Sequence, residues 1–343
     1  MDVAHDLLEL LGSELPVVAA PMAGGPTTPA LVLGAAAAGS SGFLAAGYKT
    51  PEALAAEVGE VRATTDRFGV NLFSPNPVPV DPAAYATYRE QLLPLAERYG
   101  VELPVVPVED DDYWHGKIEV LVEAGPPVVS FTFGLPDAAG LAALRAAGCV
   151  LVQTVTSPAE ARVAAEAGMD ALAVQSADGG GHSGTFTPQR PVPRTRLPEL
   201  VRAVRATTDL PLLAAGGVGS SADVRAALEA GAQAVAVGTL LLLADEAGTN
   251  AGHRAGLRGS DRGPQLSTTA FSGRPAGGVM NAFLAAYDGK GPLGYPALHH
   301  LTSPIRRAAA AAADPEHVNL WAGAGYRQAR SGPADEILRE LAP

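Results

Sequence analysis

The chain is poor in several residue types, and each shortage excludes a class of protein. It has one cysteine, Cys149, in 343 residues, so it contains no internal disulfide. That thiol sits in the run Cys149-Val150-Leu151-Val152 and reads as a buried structural group rather than a nucleophile. Positive charge is scarce: Lys and Arg number 24 against 36 Asp and Glu, a net charge of −12. Such a balance argues against nucleic acid or an anionic membrane surface as the main partner. A phosphorylated cofactor stays open, because backbone amides bind phosphate without basic neighbours. Charged residues make up only 17% and hydrophobic residues 47%, which excludes a disordered chain and allows a large core. No apolar run approaches the ~18 residues of a membrane span, and the opening Met1–Asp6 lacks the basic start of a secretory leader. The expectation is a soluble cytoplasmic protein. His5, His115, His253, His299, His300 and His317 are scattered without metal-ligand spacing. No Ser or Cys elbow and no carboxylate pair points to hydrolysis, and no metal site is expected.

Short apolar runs recur throughout. Candidate strands are Val17–Ala20, Phe43–Ala46, Phe68–Leu72, Val128–Phe131, Val150–Gln153, Ala171–Val174, Leu212–Ala215 and Ala234–Val237. Unbroken apolar runs mark strands buried on both faces, and helical patterns lie between most of them. Eight such alternations predict a (β/α)8 TIM barrel, with a doubly wound open sheet as the alternative. An internal repeat favours the barrel. Ser157–Val174 and Ser220–Val237 are identical at ten of eighteen aligned positions. Ser157 is a suitable N-cap, Pro158 suits the first helical position, and Glu160 completes a capping box. Gly168 and Gly231 suit the helix ends.

Two segments break the rhythm. Ser74–Gly125 is long for a β/α connection, is rich in proline at its start, and carries the acidic run Glu109-Asp110-Asp111-Asp112, read as a solvated surface. Beyond Ala244 the chain turns polar and glycine-rich, and Asn281–Tyr287 and Ser303–Ala313 look helical. The expected division is a barrel over residues 1–244, a small, mainly helical, lid-like subdomain over 245–318, and a segment over 319–343 that returns to the barrel.

The working groups of a parallel barrel lie at the C-terminal ends of its strands. The sixth strand runs into Gln175 and then Ser176-Ala177-Asp178-Gly179-Gly180-Gly181-His182. Glycines let the backbone turn sharply and approach a ligand, and His182 sits at the end of that turn as the candidate catalytic base. The seventh strand ends in Gly216-Gly217-Val218-Gly219, just before a helix that Ser220 or Ser221 caps, and the eighth in Gly238-Thr239. Paired glycine loops after the last two strands are where barrels bind phosphate. Asn71, Gln175 and Thr154 are neutral strand-end groups suited to the edge of a planar heterocycle, and Pro21-Met22 adds a rigid turn and a soft apolar face. Together these describe a phosphate-bearing ring cofactor, and flavin mononucleotide (FMN) fits. A dinucleotide fits less well, since no Gly-x-Gly-x-x-Gly follows an early strand with an acidic residue about 20 positions on.

With these residues in view, the chain resembles the nitronate monooxygenases, formerly called 2-nitropropane dioxygenases. The resemblance is carried by Ala20-Pro21-Met22, Gly69-Val70-Asn71-Leu72-Phe73, Gln175 with Gly180-Gly181-His182, and Ala214-Ala215-Gly216-Gly217-Val218. Phe271-Ser272-Gly273-Arg274-Pro275-Ala276 and Trp321-Ala322-Gly323 add to it. The resemblance implies noncovalent FMN, His182 as base, and cofactor contacts at Pro21, Met22, Asn71, Gln175, Gly180, Gly181, Gly216, Gly217, Gly219, Gly238 and Thr239. It implies oxidation of a nitronate or nitroalkane by O2 to a carbonyl compound and nitrite, with no nucleic-acid or membrane partner; a homodimer is left open. Around the base the family's usual Gly-x-Glu-Ala-Gly-Gly-His-Arg-Gly is replaced at Ser176, Asp178, Gly179 and Ser183. The alternatives are an NAD(P)H-dependent FMN reductase acting on a quinone or enoyl thioester, and a non-redox phosphate-binding isomerase or lyase. In the reductases of fatty-acid synthesis the position of Gln175 tends to be acidic, which weighs for the monooxygenase.

Overall fold

The computed structural model describes residues 6–259 and 262–343; the opening Met1–His5, read above for its lack of a leader pattern, lies outside them. The eight predicted strands form one closed parallel barrel. In chain order they are β1 (Val17–Ala19), β2 (Gly42–Ala45), β3 (Phe68–Phe73), β4 (Val128–Thr132), β5 (Val150–Val155) and β6 (Ala171–Gln175). A two-residue strand, β7 (Gly181–His182), lies outside the barrel, which is completed by β8 (Leu212–Ala215) and β9 (Ala234–Val237). Closure is made by β9 against β1, in the register Val17↔Val235. The open-sheet alternative is thereby excluded. No observed boundary of these eight strands lies more than two residues from the expected one; the helix expected over Ser303–Ala313 starts six residues earlier, at Ala297.

A short helix, α1 (Leu7–Leu11), plugs the N-terminal mouth. Leu7 and Leu11 pack with Val18, Phe43, Val128, Val152, Leu213 and Ala236, the side chains that fill the barrel interior. The surrounding helices are α2 (Pro29–Ala37), α3 (Pro51–Arg62), α4 (Pro82–Tyr99), α5 (Trp114–Ala124), α6 (Ala138–Ala146), α7 (Pro158–Glu166), α8 (Leu197–Arg205) and α9 (Ser221–Glu229). Their starts are set locally: Thr28, Thr50, Ser157 and Ser220 each accept a bond from the amide three residues on. Their inward faces are set by spacing. In α8, Leu197, Leu200, Val201 and Val204 fall on one side and are buried, a face worth about 1.5–3 kcal/mol per fully buried side chain.

The long β3–β4 connection holds α4 and α5. Its acidic run is exposed at Glu109, Asp110 and Asp111, as the sequence suggests, and turns inward only at Asp112. Asp110 pairs with His300 Nε2 at 2.7 Å, and Asp112 accepts the Tyr48 amide at 2.9 Å and pairs with Lys117 Nζ at 2.7 Å. Two of its carboxylates therefore peg the excursion to the ring of functional loops.

Between β9 and its barrel helix the chain makes a second excursion. It holds α10 (Ala251–Arg258), β10 (Leu266–Thr268), β11 (Ala276–Gly278), α11 (Ala282–Tyr287) and α12 (Ala297–Ala311). Its core is shared with α4: Tyr85, Tyr88 and Leu92 pack with Phe271, Phe283, Leu298 and Ile305. The chain then returns as α13 (Ala334–Leu341), which buries Ala334, Ile337, Leu338 and Leu341 at helical spacing and packs against α2 and β1. The eighth barrel helix is thus delivered only after the excursion is complete. The three-stranded sheet β10-β11-β7 ties that excursion to the glycine turn, pairing Ala276 with His182 and Gly277 with Gly181.

Candidate active site

A cavity of about 280 Å³ opens at the C-terminal end of the barrel. Pro21, Met22, Asn71, Gln175, Gly180, Gly181, His182, Gly216, Gly217, Gly238 and Thr239, all singled out from the sequence, line it, as does Thr154. Gly219 does not; its amide donates to Asp223 Oδ2 at 3.0 Å, at the start of α9.

His182 is positioned from three sides. Pairing to β11 holds its backbone. The side-chain amide of Gln175 clamps the turn, with Nε2 donating to the His182 carbonyl (3.1 Å) and Oε1 accepting the Gly184 amide (2.7 Å). Both ends of that amide are therefore engaged by the loop. Beneath, the buried Glu160 accepts four bonds, from Thr156 N (2.6 Å), Thr156 Oγ1 (2.8 Å), Thr185 Oγ1 (2.9 Å) and Phe186 N (2.8 Å). The sequence reading made Glu160 half of a capping box. Its carboxylate instead reaches the amide before the N-cap and the segment after His182, because its two oxygens point inward between β5 and that segment.

Glycine is required where these layers meet. A Cβ on Gly277 would lie 2.0 Å from the Gly179 carbonyl oxygen, and one on Gly180 would lie 2.6 Å from the Gly323 amide nitrogen. Gly216 (φ 97°) and Gly217 (φ 78°) adopt the left-handed conformation.

The imidazole sits in an aromatic wall, with ring centroids 5.6 Å from Phe133, 5.7 Å from Tyr295 and 5.8 Å from Trp321. Burial first, then the charges of Arg274 and Arg306, push its pKa down to about 3. His182 is therefore neutral at ordinary pH. Its Nε2 lies 2.8 Å from Ser272 Oγ, which in turn donates to the Arg274 carbonyl at 3.3 Å. In the tautomer in which the serine proton stays on the Arg274 carbonyl, Ser272 Oγ accepts from Nε2–H and the lone pair is on Nδ1. Arg274, with no exposed surface, donates to the carbonyls of Asn76, Phe133 and Thr185 and lies 4.0 Å over the Phe133 ring. It locks both excursions to the loop after His182.

Apart from Arg306 the remaining walls are neutral. Asn71 Oδ1 accepts from Ser130 Oγ (2.9 Å) and Thr132 Oγ1 (3.1 Å), which leaves its amide N–H donors for a ligand. Met22 packs on Gly238, where a Cβ would stand 3.3 Å from the sulfur. Thr239 Oγ1 accepts the Gly323 amide at 2.9 Å. Cys149 is remote and buried, and burial pushes its thiol up to about 11.

The sequence reading missed several lining groups. Tyr48 stacks on His299 at 4.0 Å between centroids with planes 6° apart, and Arg306 and Asn319 complete that end of the cavity. His299 and His253, expected to be scattered, both reach the cavity. Tyr48 stands at a strand end, a signal that was available. His299 and Arg306 come from α12, and nothing local marks them.

A family model described as nitronate monooxygenase matches residues 6–343. A nitronate monooxygenase of Pseudomonas aeruginosa is 38% identical to this chain over 97% of it and 96% of the relative. A probable nitronate monooxygenase of Staphylococcus aureus is 33% identical over 98% and 95%. Among solved structures, a nitroalkane oxidase from Streptomyces ansochromogenes superposes with a TM-score of 0.91 at 40% identity, covering 98% of this chain and 96% of that one. FabK from Thermotoga maritima, at 22% identity and a TM-score of 0.75 over 99% and 95%, shares the fold.

Proposed function

The chain belongs to the nitronate monooxygenase family, and we propose on that footing that it uses FMN and O2 to convert nitronates, and nitroalkanes it first deprotonates, into carbonyl compounds and nitrite. The observation that carries this reading is the neutral His182. It is an unprotonated imidazole with no carboxylate partner among the described residues, and it lines a cavity of glycine-rich strand ends.

The residues fit FMN. The close backbone approach allowed at Gly216, Gly217 and Gly238, with Thr239, suits a phosphate, and Pro21, Met22, Gly180 and Gly181 suit the faces of a planar ring. The free Asn71 amide suits its hydrogen-bonding edge. FMN, when bound, supplies the redox chemistry, taking the substrate's electrons and passing them to O2. The protein's part is to remove a proton and to exclude water. Nδ1 of His182 accepts the proton from the carbon next to the nitro group, and Ser272 holds the ring against that transfer. The aromatic wall of Phe133, Tyr295 and Trp321 keeps the site apolar. Residues 245–318, with α4, serve as the lid. The partners in this reading are a small nitronate or nitroalkane and O2, and its place is the cytoplasm. Among the described residues no helix is long and apolar enough to cross a membrane. The reductase alternative rests on likeness of fold alone.

The test is His182→Ala assayed with a nitroalkane and with its preformed nitronate. Loss with the nitroalkane and a smaller loss with the nitronate supports the reading. Equal loss with both removes His182 from the role of base.

A further inference from the structure

Two other inward-turned arginines are held by backbone carbonyls. The half-buried Arg254 donates to the carbonyls of Leu243, Ala244, Ala247 and Thr249, and the fully buried Arg274 donates to three carbonyls, its Nε alone lacking a partner among the described residues. Arg306 differs, because it lines the cavity. Its Nε donates to Thr302 Oγ1 (3.0 Å), its Nη2 to the His299 carbonyl (2.9 Å) and toward His299 Nδ1 (3.3 Å), and its Nη1 only to Asn319 Oδ1, at 3.4 Å. Among the described residues no carboxylate stands within ion-pair distance of it. Burial pushes the guanidinium pKa down to about 10, so it stays charged at neutral pH. Nothing around it is anionic: His182 and His299 are held neutral by burial and neighbouring positive charge, and burial pushes the Tyr48 phenol up to about 12. An unpaired cation in such a setting is costly unless a counter-charge arrives with the ligand.

We propose that Arg306 is the anion-recognition residue of this cavity, receiving a planar two-oxygen anion of the substrate in charge-assisted hydrogen bonds. The anion is the nitronate group itself or a carboxylate carried by the same molecule; both present two oxygens in the geometry a guanidinium fork matches. The inference rests on the nitronate reading above and extends it. A neutral nitro group offers the same oxygens without the charge, so Arg306 selects the ionised form of the substrate.

The experiment compares the wild-type holoenzyme with R306Q and R306K on ethyl nitronate, propionate 3-nitronate and neutral nitroethane. Calorimetric titration with propionate and with nitrite is run alongside. R306Q is expected to raise KM roughly ten- to a hundredfold for the anion seated on Arg306, with partial recovery in R306K and little change for nitroethane. A rise with both nitronates assigns the nitronate group; a rise with propionate 3-nitronate alone assigns the carboxylate. An equal change for all three substrates, or unchanged propionate and nitrite binding in R306Q, overturns the proposal. Should R306Q melt well below the wild type, the same comparison is made on R306K. A wild type inert toward every nitronate would sink the monooxygenase reading, while the anion titrations would still decide the role of Arg306.

Discussion

His182 Nε2 and Ser272 Oγ lie 2.8 Å apart although the residues are 90 positions apart in the chain. His182, the proposed base, comes from the turn after β6 and the hydroxyl it bonds from the late excursion, so this pair forms only when that excursion has docked.

Removing the proposed base should have a substrate-dependent outcome. A positioned general base contributes typically 10²–10⁴-fold, so His182→Ala should lower kcat/KM for a nitroalkane by about that range. The preformed nitronate, which needs no proton removed, should lose far less. Steady-state rates on the two substrates, with flavin content measured on the same samples, check this.

The pH profile should be displaced to acid. With its pKa near 3, His182 keeps its basic form down to that region. The rate with a nitroalkane, compared at equal nitroalkane concentration, should therefore show no fall near 6.5, where an unperturbed histidine would titrate. A limb near 6.5 that disappears in His182→Gln would refute the depressed value.

Stability should respond to the same groups. The pKa of His182 is pushed down to about 3, that of His253 to about 4, and that of His299 well below 6.5. A histidine whose pKa is lower folded than unfolded binds its proton preferentially in the unfolded chain. Its contribution is present above about 6.5 and is lost as pH falls toward the folded value. Melting temperature should drop between pH 7 and pH 4, and His253→Phe should make that drop shallower.

Glu160 should behave as a keystone. Glu160→Ala strands four buried donors, and each unsatisfied group costs about 1–3 kcal/mol. A loss of roughly 3 kcal/mol or more in urea unfolding is expected, with a smaller loss in Glu160→Gln, which keeps one acceptor oxygen. Loss of less than ~1 kcal/mol in Glu160→Ala would show that the segment after His182 is held by other means.

Gly277→Ala tests the layering over the glycine turn. The added methyl would meet the Gly179 carbonyl oxygen at 2.0 Å. Backbone must move, at a cost of about 1–3 kcal/mol, and His182, paired through the same strand, should shift with it. Wild-type activity and melting temperature in this variant would contradict the described contact.

Much of this architecture was legible in the sequence. The eight strands were visible because parallel barrel strands are apolar on both faces, and the repeat of Ser157–Val174 in Ser220–Val237 exposed the unit. His182 and most of its cradle were visible because chemistry sits at strand ends and glycine marks close approach. What escaped was nonlocal. Glu160 has an ordinary capping position, and only packing shows that its carboxylate faces the segment after His182. His299 and Arg306 lie on α12, far along the chain, and no spacing relates them to His182. Asp112 read as solvent-facing because charge runs usually are; its partner Lys117, and the His300 that meets the exposed Asp110, arrive through the fold.

The most direct test is anaerobic mixing of the purified protein with a nitronate and, separately, with NADPH, followed by visible absorbance. Flavin colour bleached by the nitronate and unaffected by NADPH is the expected result. Bleaching by NADPH alone, or a colourless protein that takes up no FMN, would contradict the assignment.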